Sequence, residues 1–152
     1  MENMSRNVRG KTFAEWTVGE AYKTAARTVT ESDIVAFAGL SGDFNPLHTD
    51  EEYAKRTVHG TRIAHGALTF AIATGLVNQS GLTDGTVIGF LGADVKWTAV
   101  VRPGDTIHVT MEPLEKRLAK QGGQGIVKLK LSVLNQANVI VSELLWTLLV
   151  VA

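Results

Sequence analysis

The sequence IAHGALTFAIATGLVNQSGL, residues 63–82, contains no Asp, Glu, Lys or Arg. Its length is close to the roughly 20 residues that a membrane-spanning helix needs. However, three glycines and several His, Asn, Gln, Ser and Thr side chains interrupt it, and burying those polar groups in hydrocarbon would be costly. The stretch therefore predicts a helix over residues 66–78 that is buried on nearly all sides inside a soluble protein.

The second half of the chain is rich in β-branched residues, which occur in runs separated by turn-forming residues. Together with one possible strand in the first half, these runs predict an antiparallel meander. The predicted strands are at 22–29, 87–101, 106–116, 125–133 and 139–150. A sheet of this size must cover its apolar face, and the buried helix is available for that purpose. We therefore expect an α+β fold, with a curved antiparallel sheet of about five strands around the central helix in one domain, 1–152.

Two shorter helices are predicted ahead of the buried one. Thr30 can cap the first helix by accepting a hydrogen bond from the amide three residues later. Pro46 disfavours a helical conformation in the preceding residue, so 43–48 is expected to form a turn or short loop. Thr49 or Asp50 can then cap the second helix.

The composition limits the classes of partner. The 15 basic and 15 acidic residues balance, so no basic surface for nucleic acid or for a membrane is indicated. Without cysteine, the chain has no disulfide, no Cys-ligated metal and no thiol nucleophile. The amino end lacks the apolar stretch of a signal peptide. We therefore expect a cytoplasmic protein that acts on small neutral or modestly acidic molecules.

Histidines are the obvious candidates for chemistry. His48, His59 and His65 fall within 18 residues, but they show neither the HxH nor the HxxxH spacing of common metal sites. On one continuous helix, Asp43 and His48 would point about 140° apart. A turn at Pro46 can instead bring carboxylate and imidazole onto one water, as a general acid–base pair requires. In the alternative interpretation, Asp43 caps local amides and His48 only packs.

The sequence around this pair carries a family resemblance. The run FAGLSGDFNPLH at 37–48, with Ala54 six positions after His48, resembles the signature of the MaoC-like hydratases, the (R)-specific enoyl-CoA hydratase group. IAHGALT at 63–69 is similar to the segment that opens that family's central helix, and VRPGD at 101–105 resembles a later strand connection. The first twenty residues have no such counterpart. The resemblance implies a hot-dog fold, in which the sheet encloses the helix.

Residue by residue, the resemblance implies that Asp43 and His48 form a catalytic dyad, that Asn45 and His65 support it, and that Gly66 occupies the oxyanion position. The last role is chemically sensible, because a backbone amide at a helix start can stabilise negative charge on a thioester oxygen. Gly66 also has no side chain to obstruct that oxygen. Alternatively, Gly66 only permits close packing between helix and sheet.

Thr74, Trp97 and Trp146 are three further candidates for the site. Thr74 lies two helical turns after Gly66 on about the same face, where it can reach the site water or bond back to a carbonyl four residues earlier. We expect the Thr74 hydroxyl to donate to that carbonyl. Trp97 and Trp146 are expected to be core or interface residues rather than platforms for a ligand.

The resemblance implies reversible hydration of 2-enoyl thioesters to (R)-3-hydroxyacyl thioesters, with no metal and no redox cofactor. An acyl-thioester hydrolase on the same fold is an alternative, because fold alone does not determine function. A noncatalytic acyl-thioester-binding subunit is another, although such a subunit would be expected to lack one member of the dyad. The length of the acyl chain, and the choice between coenzyme A and acyl carrier protein, are left open.

The edges of the predicted sheet bear on assembly. Unpaired amides and carbonyls at a sheet edge are usually covered or paired in natural proteins. The strands predicted at 87–101 and 139–150 carry few charges to discourage such pairing. We therefore expect a twofold homodimer, or a multiple of that dimer.

Overall fold

The computed structural model describes residues 9–120 and 122–152. Two short strands and three helices precede the central helix, and four long strands follow it. The elements are β1 (Tyr22–Lys23), β2 (Arg27–Thr28), α1 (Glu31–Ser41), α2 (Pro46–Thr49), α3 (Glu51–Ala54), α4 (Gly66–Gln79), β3 (Val87–Trp97), β4 (Thr106–Leu118), β5 (Gln124–Leu134) and β6 (Ile140–Val151).

All strand pairs are antiparallel, and the sheet has the order β1-β4-β5-β6-β3, with β2 also paired to β4. The predicted meander is correct for β4, β5 and β6 but wrong for β3, which pairs with β6 at the far side of the sheet. The connection after β3 carries the chain across to β4, which local sequence patterns do not reveal. As a result β6 is an interior strand, and β3 lies at one edge of the sheet.

The strand predicted at 22–29 is interrupted. Between β1 and β2, the Thr24 amide donates to the Val109 carbonyl oxygen at 2.9 Å, and the Thr24 hydroxyl accepts from the Val109 amide at 3.0 Å. The Thr24 hydroxyl thus replaces a backbone carbonyl as the acceptor of one hydrogen bond between the strands. Two strands of two residues each replace the single strand, and both still pair with β4.

Helix α4 packs one side into the concave face of the sheet, whereas Ala67, Ala71 and Asn78 are exposed, so the prediction of burial on nearly all sides is wrong. Six of its residues are buried: Leu68, Thr69, Ile72, Ala73, Leu76 and Val77. The five apolar ones join one cluster with the inward-facing residues of β4, β5 and β6. In β5, Val127, Leu129, Leu131 and Val133 alternate with more exposed neighbours. Burying one such side chain contributes about 1.5–3 kcal/mol. In the described part of the chain, no helix is long and apolar enough to cross a membrane.

The segment before β1 closes one end of this core. Trp16 is buried in the main cluster, and the Phe13 amide donates to the Val151 carbonyl oxygen at 2.7 Å. The Phe13 ring covers Gly125 so closely that a side chain at position 125 would overlap it. This segment, to which the sequence resemblance gave no role, therefore has a clear structural task.

Arg62 ties the helices that precede α4 together. Its guanidinium donates to Glu51 of α3 and to Glu31 of α1, both at 2.8 Å, and the Thr61 hydroxyl donates to Glu51 at 2.9 Å. The hydrogen bond from Arg62, followed by that from Thr61, lowers the pKa of Glu51 below its ordinary value. Arg62 likewise lowers the pKa of Glu31. The segment that leads into α4 is thus fixed to both helices.

This cluster predicts a specific acid sensitivity. A carboxylate whose pKa is lowered by folding stabilises the protein above its unfolded-state pKa and loses that contribution as the pH falls through its folded-state pKa. Acidification from about pH 6 to below pH 4 should therefore reduce the free energy of unfolding of the wild type more than that of Glu51→Gln. Urea titrations across this range measure the difference. Equal acid sensitivity of the wild type and Glu51→Gln would contradict a stabilising role for the Arg62–Glu51 ion pair.

Candidate active site

The chain turns sharply between α1 and α2 at the residues that sequence analysis singled out. Thr30 caps α1 as predicted, accepting from the Asp33 amide at 3.2 Å. Gly42 ends α1 in the left-handed region with φ 78°, a conformation that glycine adopts without a steric penalty. The expected turn at 43–48 is partly a helix, because Pro46 begins the one-turn helix α2 at a position where no amide donor is needed.

His48 lies on α2 and is held in one orientation. Asn45 caps this helix by accepting from the Leu47 amide at 3.0 Å. The Nδ1 atom of His48 lies 2.7 Å from the Ile63 carbonyl oxygen, so Nδ1–H is the donor. In the neutral imidazole the other nitrogen, Nε2, then carries a free lone pair. His48 can therefore accept a proton at Nε2 without losing its anchor.

Asp43 is exposed and is held by its backbone and its carboxylate. Its amide donates to the Ser41 hydroxyl at 3.2 Å, and its Oδ1 accepts from the Asn45 amide at 3.2 Å. Its carbonyl oxygen accepts from Nε2–H of His65 at 2.9 Å. Asn45 thus contacts both ends of the turn, since it bonds to the carboxylate of Asp43 and caps the helix that carries His48.

The structure brings Asp43, His48 and His65 together. One carboxylate oxygen and one ring nitrogen from each histidine all lie within 4.8 Å of one another. A single water can bridge groups at such a separation. The same three groups are the described residues that could hold a metal ion, but His48 Nδ1 and His65 Nε2 already donate to carbonyl oxygens, so His48 Nε2, His65 Nδ1 and the carboxylate remain. His59 is not part of the cluster.

Gly66 begins α4 beside this cluster. The N-cap residue, His65, makes no side-chain capping bond, so no cap consumes the amides of the first turn. Gly66 and His48 line the same cavity, of about 320 Å³, together with Thr69, Trp97 and Val141. The cavity wall therefore combines an imidazole, the positive end of a helix and apolar side chains.

Trp97 is a site residue that sequence analysis did not identify as such. It ends the edge strand β3, is 55% exposed, and lies so close to Gly66 that an added Cβ there would be 2.6 Å from the indole Nε1. The missing side chain of Gly66 thus lets the indole pack against the start of α4, and this packing does not decide the role of the Gly66 amide. No local signal could have paired these residues, because their proximity depends on where β3 joins the sheet.

Thr74 is not brought to Asp43 and His48. Its hydroxyl donates to the Ala71 carbonyl oxygen at 2.7 Å, three residues earlier rather than the four we expected. It lines a separate cavity of about 270 Å³ with Phe90 and Trp146. Trp146 is 3% exposed and belongs to the core, as predicted. Thr69, one turn nearer the start of α4, occupies the wall of the first cavity instead.

A curved antiparallel sheet around a central helix is the hot-dog fold, here with a carboxylate and two imidazoles at the start of that helix. The family model described as the MaoC-like domain matches residues 13–135. The chain therefore belongs to the MaoC-like dehydratase family, as the sequence resemblance indicated.

Individual relatives agree with this assignment. An (R)-specific enoyl-CoA hydratase from Rhodospirillum rubrum is 42% identical over 86 residues, which cover 57% of this chain and 58% of that enzyme. The structure of a MaoC-like dehydratase from the same organism has a TM-score of 0.86 at 31% identity, covering 93% of this chain and 97% of the other. An Archaeoglobus structure described as a monoamine oxidase regulatory protein has a TM-score of 0.87 at 40% identity, covering 93% and 95%. The chain is thus related to hydratases, over little more than half the length of the enzyme from R. rubrum.

Two glycines of α4 provide a matched test of the contact with Trp97. Gly66→Ala should displace the indole, because the new Cβ would overlap it, whereas a Cβ at Gly75 meets nothing within 4 Å. Since Trp16 and Trp146 are buried, a change in acrylamide quenching of fluorescence reports on Trp97. Gly75→Ala should leave quenching unchanged and stabilise the protein by about 0.5–1 kcal/mol. Identical quenching in the wild type and Gly66→Ala would show that the two residues are not in contact.

Proposed function

We propose that this protein catalyses the reversible hydration of 2-enoyl thioesters, most specifically enoyl-CoA, to (R)-3-hydroxyacyl thioesters. The observation that carries the proposal is the position of the Asp43 carboxylate and the His48 ring beside a cavity that the uncapped start of α4 also lines. The similarity to an (R)-specific enoyl-CoA hydratase supports the choice of reaction and of stereochemistry.

In the proposed reaction, a water lies between the Asp43 carboxylate and Nε2 of His48. One member of the pair takes a proton from this water while the water oxygen bonds to C3 of the enoyl group. A proton is then delivered to C2, so that the elements of one water are added across the double bond. Microscopic reversibility exchanges these roles in the dehydration direction.

Gly66 has a separate task in this proposal. As C3 is attacked, negative charge accumulates on the thioester oxygen. The Gly66 amide can donate to that oxygen, and the dipole of α4 adds to the stabilisation. The absence of a competing side-chain cap supports this assignment.

The cavity also favours an acyl group as the ligand. Apart from His48 and Thr69, its wall is made largely of apolar or small residues: Ile63, Ala64, Gly66, Ala67, Trp97, Ala99, Val100, Val101 and Val141. Such a wall suits an uncharged hydrocarbon chain better than a highly charged substrate. A hydrolase would use the same cavity but direct water at the thioester carbonyl, so the products distinguish the two reactions.

Asp43→Asn and His48→Ala should each reduce hydration about 100-fold to 10,000-fold, the usual contribution of an acid–base group. The double variant should be little worse than the more damaged single variant, because both residues act on one water. Loss of the enoyl-thioester absorbance measures hydration. His59→Ala is the matched control, since His59 lies outside the cluster, and should keep wild-type turnover.

Three results would contradict this mechanism. Near-normal turnover in either single variant would remove the dyad. Release of free thiol at the rate of enoyl consumption would identify a hydrolase. Inactivation by a chelator with recovery on adding zinc would show that the three clustered groups hold a metal instead.

We also propose a twofold homodimer formed through the edge strand β3. Four of its exposed side chains are large and apolar, and they are joined by exposed Asp94 and Lys96. Ile88, Phe90, Leu91 and Trp97 are each 48–55% exposed. An apolar edge strand with unpaired backbone groups is a strong site for pairing with a second copy. The other strand that the sequence offered as an edge, β6, is already paired on both sides.

A single charged substitution tests whether β3 forms the dimer interface. Leu91→Lys should convert a species of about twice the 16.3 kDa chain mass, or a multiple of it, to the monomer mass, because lysine on an edge strand opposes pairing. Light scattering at low protein concentration measures the mass. Leu118→Lys, an exposed residue at the end of β4, is the control and should leave the mass unchanged. A monomeric wild type would overturn the proposal without affecting the site.

A further inference from the structure

We propose that His65 is the positioning residue of this site, and that it holds Asp43 and His48 through two different parts of its imidazole ring. The inference rests on the proposed function, because it assigns His65 a role in aligning the groups that activate water. His65 itself is not placed in contact with the substrate.

The edge of the ring holds Asp43. Nε2–H of His65 donates to the Asp43 carbonyl oxygen at 2.9 Å, across 22 residues of sequence. Asp43 is exposed and directly follows the glycine that ends α1. Its remaining bonds, to Ser41 and Asn45, all lie within two residues of it. His65 therefore provides the hydrogen bond that fixes the Asp43 turn to the start of the central helix.

The face of the ring holds His48. The two imidazole centroids are 3.8 Å apart, with 30° between their planes, and the Phe37 ring lies 5.0 Å from His65. His48 has one hydrogen bond from its ring, through Nδ1 to Ile63. A single bond leaves the ring free to swing about that contact. The neighbouring face of His65 limits this motion and keeps Nε2 directed at the site.

The remaining nitrogen argues against a role in packing alone. His65 is 2% exposed, and its Nδ1 has no hydrogen-bond partner within the described part of the chain. Burying an unsatisfied polar atom costs free energy, which a phenylalanine or leucine of similar volume would avoid. An imidazole at this place is explained if both the Nε2 donor and the flat ring are needed.

Two substitutions separate the two contacts. His65→Phe keeps a flat ring against His48 but removes the donor to Asp43. His65→Gln keeps an amide donor that can reach the Asp43 carbonyl but removes the ring. His65→Ala removes both. Thermal melts of all three variants establish that each is folded at the assay temperature.

Hydrogen exchange measured by NMR reads each contact without any substrate. The Nδ1 proton of His48 should remain protected in His65→Phe and lose protection in His65→Gln. The Asn45 amide donates to the Asp43 carboxylate. It should lose protection in His65→Phe and remain protected in His65→Gln. Both protons should exchange rapidly in His65→Ala. Wild-type protection of both protons in folded His65→Ala would overturn the proposal.

Turnover provides the second readout. His65→Ala should reduce kcat by up to about 100-fold with little change in KM, the size of effect that a 1 Å misplacement of reacting groups can produce. His65→Phe and His65→Gln should each recover part of that loss. Equal kcat in all four proteins, or a loss confined to KM, would overturn the positioning role. A wild type that is inactive on every enoyl thioester would refute the proposed function, whereas the exchange pattern would still decide whether His65 positions the pair.

Discussion

Burial of the uncharged helix α4 against the concave face of the sheet is the constraint on which the rest of the structure depends. Neither the helix nor the sheet can bury its apolar surface alone. The helix has six buried positions, and the inner face of β5 alone offers four fully buried side chains. The hydrophobic effect drives them together and is roughly proportional to the area removed from water. Curvature of the sheet follows from wrapping around a cylinder, and the segment around Trp16 closes the end that remains.

The start of α4 is the part of the helix that faces the candidate site. It is left without a capping side chain, because the His65 ring points toward Asp43 and His48 instead. His65 donates to Asp43 and faces His48, so the residue that leaves the helix end uncapped also gathers the polar groups beside it. The uncapped helix start and the position of the proposed acid–base pair thus share one local cause.

Membership of the MaoC-like family is consistent with this arrangement, and the site explains why the family signature has its spacing. Gly42 stops α1, Pro46 starts α2 without needing an amide donor, and Asn45 caps α2 while its own amide bonds to Asp43. A shorter or more regular connection would leave the carboxylate and the imidazole on divergent faces. The motif is therefore a description of one tight turn between two helices.

The sequence by itself determined the local structure and the candidate pair. A stretch without charge predicted α4 almost to the residue, Thr30 predicted the start of α1, and the β-branched runs predicted the long strands, because helix caps and side-chain periodicity are properties of neighbouring residues. The motif at 37–48 also placed Asp43 and His48 on one turn. Only the tertiary structure decided that β3 joins β6, that Trp97 lies against Gly66, that His65 faces His48, and that Thr74 belongs to another cavity. Those contacts join residues far apart in sequence, and they depend on how whole surfaces pack rather than on any local pattern.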